Sequence, residues 1–74
     1  MSKAGRILSI YSRLLEGKTL IKREEAARFR VDERTIQRDL DDVRAYLADS
    51  RHVEYELVYD RARMGYLLRR VTEE

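Results

Sequence analysis

Apolar residues near the amino terminus recur with the period of a helix. Six of them follow the i, i+3, i+4, i+7 spacing: Ile7, Leu8, Ile10, Tyr11, Leu14 and Leu15. This spacing predicts an amphipathic helix over about residues 3–16. Ser2 or Gly5 is suited to begin it. Gly17 stands where a left-handed C-cap is expected.

Two further helices are predicted between Leu20 and Ala48. The segment "KREEAARF" predicts a second helix over about residues 22–29, and the period is then interrupted at Val31 and Asp32. Asp32 is a good N-cap for a third helix over about residues 33–48, because its carboxylate can accept hydrogen bonds from amides of the first turn. One buried stripe is expected on this helix, formed by Ile36, Leu40, Val43 and Leu47.

The period changes from helix to strand after the third helix. "VEYELVY" alternates apolar and polar residues and predicts a half-buried strand over about residues 53–59. "DRARMG" supplies the turn residues Asp60 and Gly65, and "YLLRRV" predicts a return strand over about residues 66–71. The predicted fold is therefore α+β, a three-helix bundle followed by a two-stranded β-hairpin, as one domain over residues 1–74.

The second and third helices are joined by only a few residues around Arg30–Asp32, so they must cross steeply, as in a helix-turn-helix. The third helix then buries its apolar stripe and offers its outer face to a DNA major groove. That face is predicted to carry Glu33, Arg34, Gln37 and Arg38, with Thr35 and Asp41 at its margins. Arginine can fork onto guanine, glutamine onto adenine, and threonine can reach a phosphate or a thymine methyl group. The first amides of the helix also favour a phosphate.

The hairpin would be the wing of a winged helix-turn-helix, and its tip carries Arg61 and Arg63, which can contact backbone phosphates or enter a minor groove. Thirteen of the sixteen basic residues are arginine, which suits forked bonding to phosphate or guanine. The alternative interpretation of this charge is a mixed, solvated surface.

Asp39 and Asp42, on the third helix, are expected to pair with arginines of the first two helices. Asp41 would lie badly against phosphate, so the third helix is expected to tilt out of the groove there.

The composition excludes several classes of protein. There is no cysteine and only one histidine, His52, which is expected in a loop. Without a glycine-rich phosphate loop or paired carboxylates, we expect no enzyme, no catalytic residue, no metal, no cofactor and no small-molecule site. No apolar run approaches the ~18 residues of a membrane span, and no secretory signal is evident. We therefore expect a soluble, cytoplasmic, nucleoid-associated domain.

Two segments in this order, "ERTIQRDLDDVRAYL" and "YDRARMGYLL", make the chain resemble the amino-terminal winged helix-turn-helix of WYL-domain and DeoR-like bacterial transcriptional regulators. The resemblance runs from about Arg6 to Leu68. It implies sequence-specific binding of double-stranded DNA in transcriptional regulation. By position, it implies base or backbone contacts by Arg34, Thr35, Gln37 and Arg38. Regulators of this family usually carry effector sensing in a later domain, so we expect either an excised domain or a small protein acting alone.

Three residues depart from the family's pattern. Arg30 replaces the usual turn glycine and is expected at φ > 0, at a cost of ~1 kcal/mol. Glu25 replaces an apolar residue, so its carboxylate either reaches solvent or weakens the packing between the second and third helices. Ile21 replaces the usual Ser or Thr N-cap, which loses ~1 kcal/mol of capping.

The alternative function is a protein-protein interaction or dimerisation module that retains the winged-helix fold. Glu25, Arg30 and the acidic segment from residue 39 to 56 motivate it. A homodimer is also compatible with DNA binding, because paired recognition helices about 34 Å apart would address successive turns of a duplex. RNA binding is a weaker hypothesis, because no surface for stacking single-stranded bases is evident.

Overall fold

Three helices followed by an antiparallel hairpin make up the fold. The computed structural model describes residues 1–49 and 54–71, and its elements are α1 (Lys3–Leu15), α2 (Lys22–Phe29), α3 (Glu33–Asp49), β1 (Tyr55–Asp60) and β2 (Gly65–Arg70). This confirms the predicted α+β class and the winged helix-turn-helix arrangement. The positions predicted for His52 and Val53 lie outside the described residues.

The first helix begins and ends where its sequence places the caps. The Ser2 hydroxyl accepts a hydrogen bond from the Gly5 amide at 3.1 Å, so Ser2 is the N-cap. Gly17 adopts φ 88°, as predicted for the end of this helix. The amides of Gly17 and Lys18 donate back to the carbonyls of Leu14 and Arg13, the hydrogen-bond pattern of a Schellman motif. The helix ends one residue earlier than predicted.

The connection from α2 to α3 is a tight turn with a non-glycine residue at its centre. Arg30 adopts φ 57° and ψ 45°, which confirms the predicted left-handed conformation. The Val31 amide then donates to the Ala26 carbonyl at 3.0 Å, closing α2. A side chain in this region costs about 1–2 kcal/mol relative to the right-handed helix. The prediction for Ile21 is also confirmed, because it gives α2 no side-chain cap.

The core lies between the three helices and one face of the hairpin. All four residues of the predicted stripe on α3 are buried. The other buried apolar residues come from α1, from the α1–α2 connection, from α2 and from β1, namely Ile10, Leu14, Leu20, Ala26 and Leu57. Because only one face of α3 is sealed in this way, its opposite face is left at the surface.

Two arginines of α1 point toward carboxylates on the other helices. Arg6 binds the carboxylate of Asp39 on α3 through two nitrogens, and Asp39 is fully buried. This confirms the predicted pairing of Asp39. The hydrogen bond to Asp39 raises the pKa of Arg6 above its usual value. Asp42 pairs with a lysine of α1, Lys3, rather than with an arginine.

Glu25 lies inside the molecule, so of the two alternatives expected for it, the one in which its carboxylate reaches solvent is wrong. Its Oε2 accepts a hydrogen bond from Nη1 of Arg13 at 2.8 Å. Its Oε1 lies 2.6 Å from Nη2 of the same arginine, without hydrogen-bond geometry. The position that is usually apolar in the motif therefore holds a carboxylate, which is neutralised by Arg13 of α1. Sequence spacing alone did not indicate this ion pair.

The hairpin is longer at its tip than predicted. Asp60 pairs with Gly65 in the ladder, so both belong to the strands and only residues 61–64 form the turn. The Leu20 and Tyr66 backbones exchange two hydrogen bonds of 2.7 Å, which attach β2 to the α1–α2 connection. A Cβ on Gly65 would lie 2.6 Å from the Thr19 methyl group, so this close approach requires glycine.

Candidate nucleic-acid interface

The outer face of α3 carries two exposed guanidinium groups. Arg34 and Arg38 are exposed, while Ile36 and Leu40 on the opposite side are buried. The two arginines are four residues apart, so they are offset by about 6 Å along the helix axis. Glu33, in the first turn, is also exposed. The structure thus places these three predicted site residues on one accessible surface.

The amino terminus of α3 is capped by a carboxylate. Asp32 Oδ1 accepts a hydrogen bond from the Thr35 amide at 2.8 Å, as predicted. The pKa of Asp32 is lowered from 3.8, first by the hydrogen bond from the Thr35 side chain and then by that from its amide, with smaller contributions from Arg34 and Arg38. A negative charge therefore already satisfies the Thr35 amide and competes with any phosphate at this end of α3. The binding of a phosphate by the first amides of the helix stays a prediction.

Thr35 is consequently part of the cap. It is half-buried, and its amide donates to Asp32 Oδ1. Its hydroxyl also contributes to the lowered pKa of that carboxylate. Thr35 lies beside the exposed face, at its margin, as predicted.

Gln37 is half-buried and held by neighbours on three elements. Its Oε1 accepts hydrogen bonds from Lys22 Nζ at 2.9 Å and from the Tyr66 hydroxyl at 3.3 Å. Its Nε2 donates to Asp41 Oδ1 at 3.0 Å. Of the four residues predicted on the outer face of α3, Gln37 is the one whose side chain hydrogen-bonds to another residue in the described ranges.

The wing tip carries the other two predicted arginines. Arg61 and Arg63 are both exposed in the turn between β1 and β2. The turn is ordered by Asp60, whose Oδ1 accepts a hydrogen bond from the Arg63 amide at 3.1 Å. The Arg63 guanidinium lies 4.0 Å from the same carboxylate, so part of its charge is neutralised locally. The Arg61 side chain makes no ion pair with a residue in the described ranges.

Unpaired positive charge is concentrated in the helix-turn-helix. Within residues 1–49 and 54–71, five of its basic residues lie within 4 Å of no carboxylate: Lys22, Arg23, Arg30, Arg34 and Arg38. The two arginines of α1, in contrast, form ion pairs with Glu25 and Asp39. At the start of α2, Ile21 leaves the first amides without a side-chain cap. Their partial positive charge adds to that of Lys22 and Arg23.

Asp41 is exposed at the far end of this face. In addition to the bond from Gln37, its carboxylate lies 3.5 Å from Nη1 of Arg44, which partly offsets its charge. The tilt of α3 out of a groove at this point stays a prediction.

Sequence spacing did not indicate the roles of Lys22 and Tyr66. Tyr66 lies in the predicted return strand, and its hydroxyl donates to Oε1 of Gln37. Tyr66 also packs edge-on against Tyr59 of β1, with ring centroids 5.1 Å apart. The contact with Tyr59 is formed within the hairpin, whereas the contact with Gln37 joins residues 29 apart in the chain and depends on how the hairpin folds back onto α3.

The described residues contain neither a membrane-spanning helix nor a cluster of metal ligands. Within residues 1–49 and 54–71, no helix is long and apolar enough to cross a membrane. In the same residues, no group of three or more His, Asp or Glu side chains is arranged to hold a metal ion.

The fold and this basic face define a winged helix-turn-helix unit. Comparisons of the chain with models of protein families, with curated proteins and with solved structures found no match.

Proposed function

We propose that this chain binds double-stranded DNA sequence-specifically in transcriptional regulation, as its resemblance to WYL-domain and DeoR-like regulators implies. α3 lies in the major groove, and the wing contacts the backbone or the minor groove. The observation that carries the proposal is the exposed pair Arg34 and Arg38 on the outer face of a helix whose apolar stripe is sealed inside. The segregation of unpaired cations onto the helix-turn-helix supports it, because phosphate binding requires charge that the protein has not already neutralised.

The first experiment is selection of bound duplexes from a random library by the purified chain. Enrichment of a common motif is expected, followed by measurable affinity for it at low salt. Arg38→Ala should weaken binding to that motif by about 1–3 kcal/mol and relax the preference at one base position. If no duplex in the pool is bound at low salt, the proposal is wrong.

Arg69→Ala is the matched control for the loss of one positive charge. Arg69 is on the wing strand β2, but its guanidinium already pairs with Glu56. Its removal changes the net charge as Arg38→Ala does, with little expected effect on affinity. Equal losses in the two variants would indicate nonspecific attraction instead of a base contact.

Salt dependence tests the role of the other cations. We expect five cations to neutralise one phosphate each, namely Lys22, Arg23, Arg30, Arg61 and Arg63. The logarithm of Kd should then rise with the logarithm of the salt concentration with a slope near 4.5. Affinity would then fall by about 500-fold between 50 and 200 mM salt. Replacing Arg61 by Ala should reduce the slope by about 0.9, whereas Arg69→Ala should leave it unchanged.

A second function, self-association, is favoured by the outer face of α1. Leu8 and Leu15 lie two turns apart on this helix and are 66% and 50% exposed. Glu25 does not support an interaction surface, since it is buried against Arg13. We propose that a second copy of the chain covers Leu8 and Leu15. Sedimentation velocity should show a dimer that Leu8→Glu converts to monomer, and a wild-type chain that stays monomeric at high concentration would refute this.

A further inference from the structure

The amide of Gln37 has little hydrogen-bonding capacity left for a base. A forked contact with adenine requires the amide oxygen to accept from the base N6 and the amide nitrogen to donate to N7. An amide oxygen has two lone pairs, and both are used here, by Lys22 at 2.9 Å and by Tyr66 at 3.3 Å. One N–H is also used, by Asp41 at 3.0 Å. Contact with adenine would therefore require the release of a bond inside the protein.

The same bonds hold three elements together. Lys22 is the first residue of α2, Gln37 is on α3, and Tyr66 is in β2. Tyr66 is already attached through its backbone to Leu20, by two hydrogen bonds of 2.7 Å. Its hydroxyl bond to Gln37 adds a second attachment, some distance from the first. Two attachments restrict the rotation of the hairpin about either one, so the wing is held at a defined angle to α3.

We infer that Gln37 is a positioning residue that sets the wing against the recognition helix, and that base discrimination rests on Arg34 and Arg38. This inference rests on the DNA binding proposed above and specifies its target. Two exposed arginines, without carboxylate partners in the described ranges, favour guanines, since the bidentate contact of Arg with O6 and N7 is the commonest specific one. The two arginines lie one turn apart, offset by about 6 Å along the helix. The preferred duplex therefore presents two guanines within the major-groove site that α3 covers.

Base-preference profiles of the wild type, Gln37→Ala and Tyr66→Phe test the inference. Each variant removes bonding between the wing and α3, so each should weaken binding by about 2- to 10-fold, the factor for one ordinary hydrogen bond. The loss should be the same for all sequences, and the guanine preference should be retained. The double variant should lose no more than the weaker-binding single variant, because both changes break the same attachment.

Tyr59→Phe is the matched control. Tyr59 lies directly opposite Tyr66 in the ladder and contacts its ring, but in the described ranges its hydroxyl makes no hydrogen bond to another residue. This variant should bind like the wild type. Thermal melts of all variants identify a temperature at which each is folded, and binding is measured there.

The possible outcomes separate this inference from the proposal beneath it. If Gln37→Ala relaxes an adenine preference at one position, Gln37 contacts a base, and the inference is wrong while DNA binding stands. The inference is equally wrong if the wild type selects duplexes without guanine, or if Gln37→Ala and Tyr66→Phe both bind with wild-type affinity. If the wild type selects no duplex at all, DNA binding itself is wrong and the inference falls with it.

Discussion

The ion pair between Arg13 and Glu25 offers a sharp test of what stabilises this domain. Arg13 is 14% exposed and Glu25 is 5% exposed, so both charges have lost most of their hydration. Arg13 also donates to the Ser9 hydroxyl and lies 5.7 Å from the centre of the Phe29 ring. Removing one member of such a buried pair typically costs about 3–5 kcal/mol, because the other charge is left uncompensated.

The two single replacements are expected to differ. Glu25→Leu leaves a guanidinium on a long, flexible side chain that can extend toward solvent, so its cost should be near 3 kcal/mol. Arg13→Met leaves a carboxylate on a short side chain. Its remaining partner is Arg28, whose Nε lies 3.7 Å away and which is largely exposed. We expect this variant to be the less stable of the two.

The double variant Arg13→Met/Glu25→Leu should recover most of the loss, because an apolar pair needs no compensation and can match or exceed the stability of the ion pair. Urea unfolding at neutral pH, followed by circular dichroism, measures all four proteins. A domain of 74 residues has a total stability of about 4–11 kcal/mol, so either single variant would lose much of it. Arg28→Ala, which removes an exposed partner, should cost less than about 1 kcal/mol. A double variant as unstable as the single ones would refute the reasoning.

Two more predictions concern the backbone and the cap of α3. Gly65→Ala should destabilise the domain by about 1–3 kcal/mol, since its Cβ would lie 2.9 Å from the Leu20 carbonyl oxygen; thermal melts measure this. A melting temperature for Gly65→Ala equal to that of the wild type would contradict the close approach. As a control, Gly5→Ala in α1 should stabilise the domain, because its tightest contact would be with the flexible side chain of Met1 and its distance to Ser2 Oγ would be an ordinary 3.4 Å. Because the native pKa of Asp32 is below its ordinary value of 3.8, its stabilisation is present above that pH and is lost as the pH falls through the native pKa. Asp32→Asn caps without titrating, so the wild type should lose stability relative to this variant in acid, and parallel pH profiles would contradict the prediction.

The sequence predicts the elements well, because each of them is specified by neighbouring residues. The stripe on α3, the caps at Ser2 and Asp32, and the glycine at residue 17 all act over a few residues. Even the left-handed conformation of Arg30 was expected, because the resemblance implies a glycine at this position of the turn. The prediction of the hairpin tip was less accurate, because Asp60 and Gly65 are residue types that suit a turn but here form the last pair of the ladder.

The contacts that modify the candidate site join residues that are far apart in the chain. Arg13 and Glu25 are twelve residues apart, and Gln37 and Tyr66 are twenty-nine. Periodicity indicates which face of a helix is apolar, but it does not indicate which polar side chain of another element will meet it. Gln37 could therefore be placed on α3 correctly, while the bonds that restrict its amide could not be predicted.

The ion pairs within this domain, more than its net charge, determine which of its cations are available to bind a charged partner. The formal net charge is only +2, which by itself indicates little about binding. The carboxylates of Glu25 and Asp39 are buried and form ion pairs with arginines of α1. They therefore do not pair with the arginines on the outer face of α3. Arg34 and Arg38 have no such partner in the described ranges. A weak overall charge is thus compatible with two exposed arginines on α3 that have no carboxylate partner in the described ranges, because the buried carboxylates neutralise cations of a different helix.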